Sequence, residues 1–90
     1  MKISVEISLY PLVNEYLPVI DSFIKGLYQF EGLRIHTSHM STMIIGEYSE
    51  VFEALKSEIF QTFQSSTQAS FVIKVLKGDA QEEVNIDGYR

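Results

Sequence analysis

The chain begins with a stretch in which apolar and polar side chains alternate from Lys2 to Tyr10. Alternation of this kind is typical of a β-strand that buries one face. The next residue, Pro11, has a fixed φ angle and no backbone donor, so we expect the strand to end by about Leu12. The predicted buried face consists of Ile3, Val5, Ile7 and Leu9.

Two later stretches space their apolar residues as a helix with one buried face does. The first covers residues 16–30, and Pro18 then lies in its first turn, where a missing donor costs little. The second covers residues 49–64, with the Ser49 hydroxyl as the predicted N-cap. The apolar stripes are Tyr16, Ile20, Phe23, Ile24 and Leu27 in the first helix and Phe52, Leu55, Ile59 and Phe63 in the second.

Three more stretches, residues 33–38, 42–48 and 69–77, have the composition of strands. The middle one contains an unbroken Met-Ile-Ile run, which indicates a strand covered on both faces. Gly46 in the same stretch indicates a bulge or a close neighbour. The resulting order is βαββαβ. It predicts an α+β, ferredoxin-like fold with a four-stranded, mostly antiparallel sheet and two helices on one face.

One domain over residues 1–79 accounts for all of these elements, and residues 80–90 form a tail. The tail is acidic and has little apolar content, so we expect it to be mobile or to contact another subunit. The sheet face away from the helices carries Val72 and Leu76, which makes it too apolar to be fully bare. We therefore expect the chain to associate with itself as a homodimer or homotetramer.

The composition, 46% hydrophobic and 21% charged over 90 residues, is that of a folded globular protein. The net charge is -5 and the basic residues are scattered, which argues against nucleic acids and anionic membranes as partners. Glu6 interrupts the apolar run that a signal peptide needs, and no transmembrane run of about 18 apolar residues occurs, so we expect a cytoplasmic protein.

The sequence contains none of the common catalytic or cofactor motifs. It has no nucleophile elbow, no metalloprotease helix motif, no glycine-rich phosphate loop and no cysteine. His36 and His39 are three residues apart on a predicted strand and turn, a spacing that favours separate surface histidines over a metal pair. We expect a protein that is not an enzyme and that needs no cofactor or metal.

Hydroxyl side chains are concentrated in the predicted hairpin, at Thr37, Ser38, Ser41 and Thr42. One interpretation is ordinary turn chemistry, because Ser and Thr satisfy backbone groups in tight connections. The other is a pocket for a polar heterocycle, since a hydroxyl both donates and accepts hydrogen bonds. Met40 fits either a hairpin tip or a pocket wall.

Three segments together resemble a known family. They are ISLYPL at residues 7–12 before the first helix, MST at 40–42 before the strand that contains Gly46, and EVF at 50–52 in the second helix. Over residues 2–79 the chain resembles the YkoF-like family of thiamine- and hydroxymethylpyrimidine-binding proteins, which overlaps the MTH1187-type family. The resemblance implies a ferredoxin-like domain that assembles with another such domain and binds thiamine, or its pyrimidine moiety, without catalysis.

On this resemblance, an aminopyrimidine would be met by hydroxyls and by a carboxylate such as Glu6 or Glu47, with the Tyr10 ring stacked on it. A regulatory module that senses another small metabolite is the alternative interpretation. A small ferredoxin-like oxygenase or isomerase is disfavoured, because no paired acid and base is visible. The candidate ligand-binding residues are Ser8, Tyr10, Thr37, His39, Met40, Ser41, Thr42 and Glu47.

Overall fold

The computed structural model describes residues 1–65 and 68–82. The predicted order βαββαβ is confirmed. The elements are β1 (Lys2–Pro11), α1 (Tyr16–Leu27), β2 (Arg34–Thr37), β3 (Thr42–Glu47), α2 (Tyr48–Ser65) and β4 (Ala69–Lys77). Within these residues, neither helix combines the length and hydropathy that crossing a bilayer requires.

All strand pairs are antiparallel, and the sheet order is β2-β3-β1-β4. This is the predicted α+β, ferredoxin-like topology. Odd-numbered residues of β1 pair with odd-numbered residues of β4, as in Val5 with Val75 and Ile7 with Ile73. They therefore share one face of the sheet, and we call the opposite face the open face.

The core lies between this sheet face and the two helices, as the alternation in β1 predicts. Val5, Leu27 and Ile44 are each 0% exposed and come from a strand, a helix and a second strand. Leu9 and Phe71 pack against the same cluster at the end of the sheet. Burial of these side chains is what holds the two layers together.

The helix boundaries differ from the predicted ones by a few residues. The first helix ends at Leu27 and not at Phe30, because the chain turns there with short hydrogen-bonded loops. The second begins at Tyr48, so Ser49 lies inside the first turn and the predicted Ser49 N-cap is wrong. The Tyr48 amide donates instead to the Met1 carbonyl, 2.8 Å away, so the residue before β1 satisfies the start of this helix.

Gly46 has a packing role. A Cβ atom built on it would lie 2.8 Å from the Leu33 Cδ2 atom and 3.4 Å from the Val51 Cγ2 atom. The residue is buried at the end of β3 next to α2, far along the strand from the hairpin. The close neighbours that Gly46 indicated are therefore side chains of the same chain, Leu33 and Val51.

Gly46→Ala should lower the free energy of unfolding by about 1–3 kcal/mol, because an added methyl overpacks this contact. Urea denaturation measures the loss. Since the site lies outside the hairpin region, any stabilisation by a ligand of the hairpin should be unchanged. A variant as stable as the wild type would show that Leu33 moves aside freely.

After β4 the chain folds back over the open face, through a short segment that we call the strap (residues 78–82). Gly78 has a φ of 96°, a conformation that L side chains rarely adopt, and its amide donates to the Lys2 carbonyl at 2.8 Å. The Ser4 hydroxyl donates to the Gly78 carbonyl and accepts from the Ala80 amide, both at 2.8 Å. Asp79 then forms an ion pair with Arg34 on the far edge strand β2.

The strap explains burial that the helices cannot provide. Ser4 and Ile45 pair across β1 and β3 on the open face, yet each is only 2% exposed. The predicted domain boundary at Asp79 falls inside the strap, and Ala80 packs with the domain. The sequence predicted that residues 80–90 form a tail that is mobile or contacts another subunit. Residues 83–90 of this tail lie outside the described residues.

The strap should loosen in acid. The Gln81 amide, 2.8 Å from the Asp79 carboxylate, and then the Arg34 guanidinium hold the pKa of Asp79 below its ordinary value. Because the pKa of Asp79 is lower in the folded state than in the unfolded state, the Asp79 carboxylate stabilises the fold at pH values above the unfolded pKa of about 3.9. This stabilisation is lost as the pH falls through the pKa of Asp79 in the folded state. The amide proton shift of Ala80 should follow this loss, and in Asp79→Asn it should already report a loosened strap at pH 7.

Candidate ligand-binding site

A cavity of about 180 Å³ lies between the end of β1, the inner face of α1 and the β2–β3 hairpin. We call it the helix-side cavity. Its lining residues are Ile7, Ser8, Leu9, Tyr10, Ile20, Phe23, Ile24, Thr37, Ser38, His39, Met40, Ser41 and Thr42. Seven of the eight residues predicted from the sequence are thus brought together.

One wall of the cavity is apolar. Phe23 is 4% exposed, and its ring packs on Phe71 with the centroids 5.1 Å apart. Ile20 and Ile24 extend the same wall along α1. The sequence placed these residues on the buried helical stripe but gave no sign that the stripe also faces a cavity, because core and pocket positions have the same periodicity.

The turn interpretation of the hairpin hydroxyls holds for Ser38. Its hydroxyl accepts from the Met40 and Ser41 amides at 3.2 and 3.3 Å and donates to the Ser41 carbonyl at 3.2 Å. The Ser38 amide donates to the same carbonyl at 2.9 Å. Ser38 is therefore committed to closing the hairpin.

Thr42 is different. It pairs with Ile7 at the end of the β1–β3 ladder, on the helix side of the sheet, and is 5% exposed. Among residues 1–65 and 68–82 its hydroxyl has no hydrogen-bond partner, and the same holds for the hydroxyl of Ser41. Thr42, the first residue of β3, points to the helices. Ser41 precedes the strand, in the hairpin, and also lines the helix-side cavity.

Four other predicted residues form the rim. The Ser8 hydroxyl donates to the Met40 carbonyl over a long 3.4 Å, which ties β1 loosely to the hairpin. Tyr10 and Met40 are 53% and 86% exposed, so their side chains are free to close over a ligand. His39 is exposed at the hairpin tip.

Glu47 is the predicted site residue that the structure separates from the others. It lies at the opposite end of β3, where its carboxylate accepts a hydrogen bond from the N-terminal ammonium of Met1 at 3.0 Å. Glu47 and the hairpin thus occupy the two ends of one strand, β3.

The described lining of the helix-side cavity contains no carboxylate. No lysine or arginine is among these lining residues, so a phosphate would find no counter-charge there. In the part of the chain that the structure describes, no group of three metal-ligating side chains comes together. The site thus suits a neutral or weakly cationic ring.

This architecture defines the class of the protein. It is a small ferredoxin-like domain with a cavity under its β2–β3 hairpin. The chain belongs to the YKOF-related family, whose sequence model matches residues 2–82. This match confirms the family resemblance that rests on segments such as ISLYPL and MST. A comparison with curated proteins found no match.

Solved structures show the same fold. Protein SP2199 from Streptococcus pneumoniae is 25% identical with a TM-score of 0.82, over 99% of this chain and 97% of that one. TM0486 from Thermotoga maritima, named a "putative thiamine biosynthesis/salvage protein", is 21% identical with a TM-score of 0.76 and full coverage of both chains. A DUF77 domain from Bacillus cereus is 20% identical with a TM-score of 0.71, over 98% of this chain and 86% of that one.

Proposed function

We propose that this protein binds thiamine, or its hydroxymethylpyrimidine moiety, in the helix-side cavity and catalyses no reaction. The observation that carries the proposal is the Thr42 hydroxyl, which lies without a hydrogen-bond partner among the described residues beside an apolar wall. Membership in the YKOF-related family and the name of the Thermotoga maritima neighbour support the choice of ligand.

The size of the cavity favours one ring. Pockets for drug-sized molecules measure about 300–1,000 Å³. At about 180 Å³, the helix-side cavity is too small to enclose a ligand of two linked rings. We therefore propose that the pyrimidine enters the cavity and that the thiazolium of thiamine stays at the exposed rim, near Met40.

The chemistry of the lining matches an aminopyrimidine. Such a ring has nitrogen acceptors and an exocyclic amine donor, and the hydroxyls of Thr42 and Ser41 can serve both. Tyr10, at the rim, supplies a ring that can stack on the pyrimidine. Ser8, Thr37, His39 and Met40 complete the proposed site, and Glu47 is left out because of its place at the other end of β3.

The same lining argues against phosphorylated ligands, since its described residues include no lysine or arginine. A thermal-shift screen tests this selectivity and the proposal itself. Thiamine and free hydroxymethylpyrimidine should stabilise the protein, and thiamine phosphates should do so less. Stabilisation by amino acids with none by thiamine would favour the alternative, a module that senses another metabolite.

We also propose that a second copy of the chain covers β4. This edge strand pairs only with β1 within the described residues and leaves Val72, Val75 and Leu76 each more than half exposed. An apolar edge strand invites pairing with another chain, and Lys74 is the one charged residue in its middle. The strap covers the other side of the open face, so a partner needs to cover only the β4 side.

A further inference from the structure

A second cavity, of about 340 Å³, lies on the open face of the sheet. Its lining residues are Glu6, His36, Thr37, Ser38, Ser41, Met43, Ala80 and Gln81. The hairpin separates it from the helix-side cavity, and the strap forms its second wall through Ala80 and Gln81. Its volume is in the range of small-molecule sites, about 300–1,000 Å³.

The register of the sheet fixes the arrangement of the floor. Glu6 pairs with Lys74 on one side and with Met43 on the other, and Met43 pairs with His36. These four side chains form a row across the whole open face. Met43 thus gives a soft apolar floor between a carboxylate and an imidazole.

The carboxylate of Glu6 is weakly held. Its described cation partner, Lys74, is 3.4 Å away, and the Lys74 side chain is 80% exposed, so this surface pair contributes little. The nearby guanidinium of Arg34 is already paired with Asp79 in the strap. A cationic ligand could therefore replace Lys74 at Glu6 at small cost, and the Ser41 hydroxyl in the lining is available to it for a hydrogen bond.

We infer that the open-face cavity is a second ligand site, which takes a small flat organic cation such as an amidinium. Glu6 receives the two N–H donors of the cation, and the ring lies on Met43 between Glu6 and His36. A carboxylate and an amidinium form a bidentate, charge-assisted pair, which is stronger than a neutral hydrogen bond. The two cavities share Thr37, Ser38 and Ser41 at the hairpin, but Glu6 and Met43 line the open-face cavity and not the helix-side one. The inference rests on Glu6 and therefore does not depend on the proposed thiamine site.

The test uses benzamidine, which is a cation at pH 7, and its neutral analogue benzamide, in a two-dimensional amide NMR titration of the full chain. Benzamidine should shift the amides of Glu6, Met43 and His36, and benzamide should bind at least about tenfold more weakly. Glu6→Gln keeps the shape of the side chain and removes its charge, so it should weaken the binding of benzamidine by a similar factor.

Two control variants test whether benzamidine binds in the open-face cavity and through the charge of Glu6. Glu53→Gln makes the same charge change on the exposed face of α2 and should leave benzamidine binding unchanged. Thr42→Ala alters the helix-side cavity alone and should also leave it unchanged. Equal binding of both probes to the wild type, or shifts centred away from Glu6, would overturn the inference, whichever way the thiamine experiments turn out.

Discussion

Replacing both Ser41 and Thr42 with alanine should abolish the stabilisation that thiamine or hydroxymethylpyrimidine gives, while the protein without ligand stays within about 1 kcal/mol of the wild type. Neither hydroxyl has a hydrogen-bond partner among the described residues, so the fold loses little when they are removed. A ligand that uses both hydroxyls loses two hydrogen bonds, and the apolar wall alone does not fix its orientation.

The matched control is Ser38→Ala in the same hairpin. Because the Ser38 hydroxyl closes the turn through bonds to Met40 and Ser41, its loss should cost about 1–2 kcal/mol without ligand. The ligand-induced shift should remain. Denaturation midpoints of the three proteins, with and without thiamine, decide between the pocket and turn interpretations. Equal shifts in the wild type and the double variant would end the assignment of the pocket.

The second large effect concerns assembly. At tens of micromolar, roughly the concentration at which a weak dimer forms, the wild type should sediment as an oligomer. Introducing Val72→Lys with Leu76→Lys should convert it to a monomer, because charges placed on an apolar edge strand oppose pairing with a second chain. These two side chains are 54% and 53% exposed in the single chain, so the substitutions leave the core intact.

Leu17→Lys is the control for this experiment, since Leu17 is 65% exposed at the start of α1 and away from the sheet. It should leave the sedimentation unchanged. A wild type that remains monomeric at these concentrations would contradict the proposed self-association. A monomeric double variant that also loses its thermal transition would instead show that β4 needs its partner to fold.

The fold could be predicted from the sequence because its main signals are local and repeated. The alternation in β1 and the two helical stripes settle element type and order, and the observed β4, Ala69–Lys77, has the predicted bounds. The start of α2 was predicted less accurately, because the Tyr48 amide bonds a distant part of the chain, the Met1 carbonyl.

The strap could not be predicted, because no pattern connects Ser4 to an amide 76 residues later. The environments of the hairpin hydroxyls were also hidden: Ser41 lines both the helix-side and the open-face cavity, whereas Thr42 lines the helix-side one. The sequence correctly predicted that the hydroxyl side chains lie together in the hairpin region. The strand register showed that Thr42 faces the helices, and the hydrogen bonds of the Ser38 hydroxyl showed that it closes the turn.

The most direct test of the thiamine-binding proposal is an amide NMR titration of the wild type with free hydroxymethylpyrimidine, which lacks the thiazolium and so reports the ring alone. The proposal predicts saturable shifts that are largest at Thr42, Ile24 and Tyr10, around the helix-side cavity. Absent shifts, or shifts confined to Glu6 and Met43 on the open face, would contradict it.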